Sequence, residues 1–463
     1  MNESRIKLIE KETMAKSKSD GDTRDPSHGE DDQVTVDIDS LTYSIESMMS
    51  QNLIISDKCC IFRVPPILRR HRESAYIPIA FSIGPWHRNN PLMQSTEKIK
   101  LKYLKGLLSR ESTSITLKEL VESTREVEKE ARSCYAAPID VDVEDFVRLL
   151  VIDGCFLIEL FRKDRDIDLR EIDDPIFNMN CMLQYLYHDL ILVENQIPWL
   201  VLEHLFNKTA AANSEQSTQY RFRANKGDPK KETTLAHLAL QFFSNIFSSN
   251  EPNTDTPYDG TKHLLDLLRN WMVKSSENAH EYVDTGWEPI PSATDLVDAG
   301  IKLKVSDSEH KSILDIKFNN GSLEIPSLLI QETTEVIIRN LISYEQCSPQ
   351  CTDRITSYAV LLSNLINTTK DMDIVTSSGI ITNWLSPEEA MQFFNKLYHD
   401  AYLKNYYYLK LHREVNKYYQ CRCPRWRAML MRNYFGTPWA IVSMFAAATL
   451  FILTVQTIFT IIK

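Results

Sequence analysis

Glycine is scarce in this chain, 12 residues of 463, and the scarcity removes whole classes of chemistry. A phosphate-cradling loop needs glycine wherever backbone amides close on an oxyanion, and neither a P-loop nor a Gly-x-Gly-x-x-Gly run occurs. A Gly-x-Ser-x-Gly elbow and a His-Glu-x-x-His pair are also missing, which excludes the familiar serine-hydrolase and zinc-protease arrangements. The net charge is -11, and no basic patch precedes about residue 400, so nucleic acid is not an expected partner. Residues 1–40 hold no apolar core of a secretory signal peptide.

The nine cysteines are odd in number and Cys59 and Cys60 are adjacent, which argues for a reducing compartment and against a disulfide framework. Cys347-x3-Cys351 and Cys421-x-Cys423 lack the spacing of a structural zinc site, although the second pair, set among arginines, suits palmitoylation. Asp164-x-Asp166-x-Asp168 opens like a calcium loop, but Leu169 stands at the glycine position and Pro175 at the bidentate glutamate position. Glu277-x-x-His280 is one half of a diiron pattern whose other half is absent. No metal, no cofactor and no catalytic residue is therefore assigned from the sequence.

What the sequence does contain is a long apolar run, Trp439 to Ile462, free of ionisable side chains. At about 1.5 Å per helical residue it matches roughly 30 Å of hydrocarbon, and the expected role is a membrane anchor whose partner is the bilayer itself. Lys404, Lys410, Arg413, Lys417, Arg422, Arg425, Arg427 and Arg432 precede it, so the positive-inside rule places the preceding chain in the cytosol. Tyr434, Phe435 and Trp439 suit the headgroup level, and Lys463 the far interface, the pattern of a tail anchor in the plasma membrane or an endomembrane. The reverse orientation, an ectodomain receptor, has sequons at Asn2, Asn207, Asn320 and Asn367 in its favour.

The expected architecture is mainly α, of the α+β class: a disordered polar segment over 1–45, a mostly helical domain over 46–437, and the anchor over 438–463. Polar insertions are expected near 207–233 and 248–261. Prolines at 65, 66, 78 and 85 keep two early stretches extended. Helices are expected over Thr96–Leu108, Asp142–Phe161, Met182–Val193, Trp199–Phe206, from His263, over Thr333–Ile342 and Ile355–Ile366, from Ser386, and from about Asp400 onward. Near residues 300–326, Ile301–Val305, Ile313–Phe318 and Leu323–Ile325 alternate as strands, with Asn320-Gly321 as a hairpin turn, so a small antiparallel sheet is expected.

Three carboxylates fall in apolar surroundings: Asp153 in the middle of a core helix, Asp189, and Glu194 in the Glu-Asn-Gln-Ile-Pro interruption. Asp153 must find a hydrogen-bond partner or shift its pKa, and Asn195 or Gln196 can satisfy the amides of the helix starting near Trp199. An enzyme of unrecognised type would need these three carboxylates in one solvent-reachable pocket.

Arg63-Val-Pro65, Ser82-Ile-Gly-Pro-Trp-His87, Asp153-Gly-Cys-Phe156, Glu194-Asn-Gln-Ile-Pro198, His263-Leu-Leu-Asp266, Arg339-Asn-Leu-Ile-Ser-Tyr-Glu345 and Tyr434-Phe-Gly-Thr-Pro-Trp439 occur in that order. They resemble the blocks of the plant family catalogued as domain of unknown function 247, the UPF0481-type membrane proteins. The resemblance runs from about Ile54 onward. It implies single-pass, C-terminally anchored plant proteins with no established activity, cofactor or site residues, some grass members being associated with self-incompatibility. The expected function is a protein-interaction component in signalling or cell recognition, with protein partners that the sequence does not name.

Overall fold

The computed structural model describes residues 38–49, 57–110, 115–211, 234–244, 258–274, 289–306, 312–383, 385–421 and 438–462. The insertion segments 212–233 and 248–257, Glu277, His280, Cys423, the basic residues from Arg422 to Arg432 and the sequon at Asn2 lie outside them. The chain divides into two units, Met1–Ile54 and Ile55–Lys463.

In the first unit, α1 (Ile38–Met49) is a helix with no buried residue. Ile38, Leu41, Ile45 and Met48 recur at helical spacing on one side, which is why part of the stretch expected to be disordered through residue 45 is helical.

The second unit begins with extended chain, the short α2 (Pro66–Arg69), and more extended chain up to His87. Then come α3 (Gln94–Leu108), α4 (Leu117–Ser133), α5 (Val143–Arg165), α6 (Asn180–Asp189), α7 (Trp199–Ala211), α8 (Leu235–Phe242), α9 (Leu264–Lys274) and α10 (Ala293–Asp298). The centre is α5. Asp142 caps it by accepting the Asp145 amide at 2.7 Å, Glu144 and Asp145 complement the N-terminal end of its dipole, and Arg162, Lys163 and Arg165 the C-terminal end. Phe146, Leu150, Phe156, Ile158 and Phe161 are fully buried, because α3, α4, α7 and α8 pack around it. Gly154 permits the close approach of α7: a Cβ there would come within 2.5 Å of Leu205 Cδ1. The charged end of α5 is tolerated inside because Lys163 Nζ donates to Asp174 at 2.9 Å, and the Tyr103 hydroxyl donates to the other oxygen of that carboxylate at 2.8 Å.

The sheet differs from expectation in the direction of its first strand and the length of its second. β2 (Lys317–Asn319) and β3 (Ser322–Ile325) form the antiparallel hairpin, turning on Asn320 at φ 49° and Gly321 at φ 76°. β1 (Lys302–Val305), however, pairs parallel with β3, Leu303 opposite Leu323, so the sheet is mixed, in the order β1-β3-β2. The Ile313–Ile316 part of the expected second strand forms a buried turn instead. A second pairing, β4 (Leu328–Ile330) parallel to β5 (Ile381–Asn383), was not expected.

Between and after those strands lie α11 (Glu332–Cys347), α12 (Arg354–Leu365), α13 (Thr369–Ser377), α14 (Pro387–Lys396) and α15 (Leu409–Tyr419). The last helix, α16, covers Pro438–Ile462 with no acidic or basic residue in its terminal turns. Val442, Phe445, Leu450, Phe451, Leu453 and Ile458 on it are all exposed. The membrane span expected over Trp439–Ile462 is nevertheless not established: among the described residues no helix is long and apolar enough to cross a membrane.

Candidate functional site

After the 3-10 turn Glu73–Tyr76, the chain from Ile77 to His87 has no strand partner, so its buried amides must be satisfied by side chains. The interruption between α6 and α7 supplies them. Asp189, fully buried, accepts three consecutive amides, those of Ile79, Ala80 and Phe81, at 2.7 to 2.8 Å, and stands 2.7 Å from His188 Nδ1. Asn195 Oδ1 accepts the Ile83 amide at 2.7 Å, while its Nδ2 donates to Phe81 O and Asp189 O. Asp153, reaching from α5, accepts the Gly84 amide at 2.8 Å and the Lys100 ammonium at 2.7 Å. Burial pushes the Asp153 carboxyl upward, and the Lys100 ammonium opposes that push. Gly84 sits at φ 79°, and a Cβ there would lie 2.4 Å from Gln196 O, so both its conformation and its space call for glycine.

Glu194 closes the outer edge. It accepts the Val64 amide at 2.8 Å and pairs with Arg63 at 2.8 Å and Arg69 at 3.1 Å, and Arg63 stacks over the Trp86 ring at 4.4 Å. His87 Nε2 lies 3.9 Å from the same carboxylate, and burial lowers its pKa. Arg69 Nε, Trp86 Nε1 and His87 Nε2 are buried without a hydrogen-bond partner, at a cost of about 1–3 kcal/mol each, so this edge is the least settled part of the arrangement.

The same kind of joint continues into the second half of the unit. Gln196 donates to Leu190 O and Leu192 O and accepts the Leu265 amide, and the Trp199 amide at the start of α7 donates to Lys262 O. The role expected for Asn195 or Gln196 at the first turn of that helix is therefore corrected: each binds the preceding loop and a distant stretch of backbone instead. His263 Nε2 is 3.1 Å from Cys60 O while its Nδ1 accepts the Asp266 amide at 3.2 Å, which fixes the neutral Nε2–H tautomer. Asp266 accepts the Tyr344 hydroxyl at 2.9 Å, and Asn340 accepts the Val193 amide at 3.0 Å. Glu345 accepts from Arg269 and from the Ile355 and Thr356 amides.

Asp153 and Asp189 are thus bonded to backbone amides of the segment from Ile79 to Gly84, and Glu194 to the amide of Val64, so each of these buried carboxylates serves the backbone. The void beside them, lined by Ile83, Leu157, Leu190, Ile197, Leu202 and Leu264 together with Asn195 and Gln196, is too tight to admit a water molecule. None of the three carboxylates lines it. Among the described residues no three His, Cys, Asp or Glu side chains converge as metal ligands would. Asp166 of the calcium-like run caps a turn by accepting the Asp168 amide.

The residues 61–453 match the family model of DUF247, described as a plant protein of unknown function, and the chain belongs to that family. A UPF0481 protein of Arabidopsis thaliana is 26% identical over 430 residues, covering 86% of this chain and 85% of the relative. A putative UPF0481 protein of the same plant is 22% identical over 494 residues, covering 90% of this chain and 93% of the relative. No solved structure matches. Gly84, Asp153, Glu194, Asn195, Gln196, His263, Asp266, Asn340, Tyr344 and Glu345, which lie in the blocks that carry the resemblance, are the residues that make the buried joints.

Proposed function

We propose that this is a non-catalytic, single-pass membrane protein whose folded body faces the cytosol and binds protein partners in signalling or cell recognition. The observation that carries the proposal is α16, a helix of 25 residues whose described large apolar side chains point into solvent. Soluble proteins seldom leave a continuous apolar surface of that kind uncovered. Lys404, Lys410, Arg413 and Lys417, all exposed just upstream, support the cytosolic side. The joints leave the buried carboxylates structural work, and α1, with its apolar side exposed, offers a surface for a partner.

Alkaline carbonate extraction of membranes tests the anchor. The full chain is expected to stay in the pellet and a variant ending before Pro438 to move to the supernatant. Extraction of the full chain would remove the membrane from this reading.

A further inference from the structure

Outside the polar joints lies a pair of thiols that no joint uses. The extended segment 57–64 runs beside the end of α4, where Ile61 bridges Tyr135 in parallel register. The Cys60 and Ile61 amides both donate to Cys134 O, at 2.8 and 2.9 Å, and the Ala136 amide donates to Ile61 O at 2.9 Å. In that register Cys60 and Cys134, the C-cap residue of α4, are opposite one another, each one residue before the bridge. The two amide bonds to Cys134 O hold the residues side by side, and a disulfide needs roughly 4.4–6.8 Å between their Cα atoms. Both residues are buried. The Cys134 thiol also donates to Glu130 O at 3.4 Å. The surface ion pair of Lys58 with Glu130, 2.7 Å, joins the same two stretches, and both of its side chains are exposed.

We propose that Cys60 and Cys134 are a reversible thiol–disulfide modification site, oxidised by exchange with a small disulfide such as oxidised glutathione and reached when the Lys58–Glu130 pair opens. The Cys134 thiolate attacks one sulfur of the small disulfide, forming a mixed disulfide and expelling one small thiol. The Cys60 thiolate then attacks Cys134 Sγ, forming the protein disulfide and expelling the second. Two cysteine thiols are oxidised and the small disulfide, taking two electrons and two protons, leaves as two thiols. The order follows from the neighbouring Cys60 side chain, which lowers the Cys134 pKa, whereas the Cys60 pKa is raised. The bond would fasten segment 57–64, whose Arg63 and Val64 hold Glu194, to α4. This inference stands apart from the membrane reading and survives its failure.

The test equilibrates the full chain, in detergent micelles, with reduced and oxidised glutathione over a range of ratios, followed by acid quench, alkylation in denaturant, digestion and mass spectrometry. A peptide pair linking Cys60 to Cys134, lighter by two hydrogens than the sum of its parts, is expected to grow with oxidised glutathione and vanish on adding dithiothreitol. The oxidised protein is expected to melt at a higher temperature. Cys60→Ser and Cys134→Ser should each lose the linked pair and Cys181→Ser should keep it, while Lys58→Ala should speed its formation up to about fivefold. Wild-type protein with a native circular dichroism spectrum whose two thiols stay separately alkylated at the most oxidising ratio would overturn the proposal. So would a link that forms only in denaturant, or one from Cys134 to Cys59. An unchanged rate in Lys58→Ala would overturn the access route.

Discussion

Asp189 holds three successive amides of a chain segment with no strand partner, so its carboxylate does the work of a missing β-ladder. Asp189→Ala would leave those amides unmatched in the interior, and a loss on the order of 3–5 kcal/mol in denaturant unfolding is expected. A loss within 1 kcal/mol, the size of an ordinary surface change, would contradict the role. His263 carries the pH dependence. Burial pushes its pKa down to about 4, and its Nδ1 is already an acceptor, so the folded state holds it neutral while the unfolded chain titrates near the ordinary 6.5. Between those values the unfolded state binds more protons, so stability is full above about pH 6.5 and falls as the pH drops toward 4, by on the order of 3 kcal/mol. Thermal melts from pH 7 to pH 4.5 are expected to converge for wild type and His263→Gln as the pH falls; parallel curves would contradict it. That Asp153 needs a partner was legible in the sequence, since a carboxylate in an apolar helix must find one. Which amides Asn195 and Gln196 would serve was not, because their partners lie up to 114 residues away.

Elements were legible in proportion to their apolar periodicity. The core helix α5, with its acidic first turn, and the Asn320-Gly321 hairpin follow from pattern and turn chemistry alone. Helix α4 went unread because its face is narrow and its surface heavily charged, yet a local signal was present. Thr116 and Glu119 form a capping box, the Glu119 amide donating to the threonine hydroxyl at 3.3 Å and the glutamate reaching back to the Thr116 amide at 2.7 Å. Thr116→Ala is expected to cost about 1 kcal/mol in denaturant unfolding, and no change would mean that packing on α5 alone holds the helix. The parallel pairing of β1 with β3 could not be read from the strands, because alternation marks a strand but not the direction of its neighbour. The crossover that makes it parallel places β2 at the outside of the sheet.

Across the second unit, the family blocks make sense as joints: polar residues that tie backbone to distant helices, as Asn340 does with Ala75 O, 265 residues away. That arrangement gives the buried polar residues backbone partners, which is compatible with the interaction reading. The reading also needs the body on the cytosolic side of a membrane, and this is where it is most exposed to test. The decisive measurement is the topology of the full chain in plant microsomes, read by protease digestion of an N-terminal tag together with glycosidase sensitivity at Asn207, Asn320 and Asn367. Digestion of the tag in intact vesicles, with no glycosidase-dependent shift in mobility, is the expected result. A protected tag with a shift would place the body outside the cytosol and contradict the account.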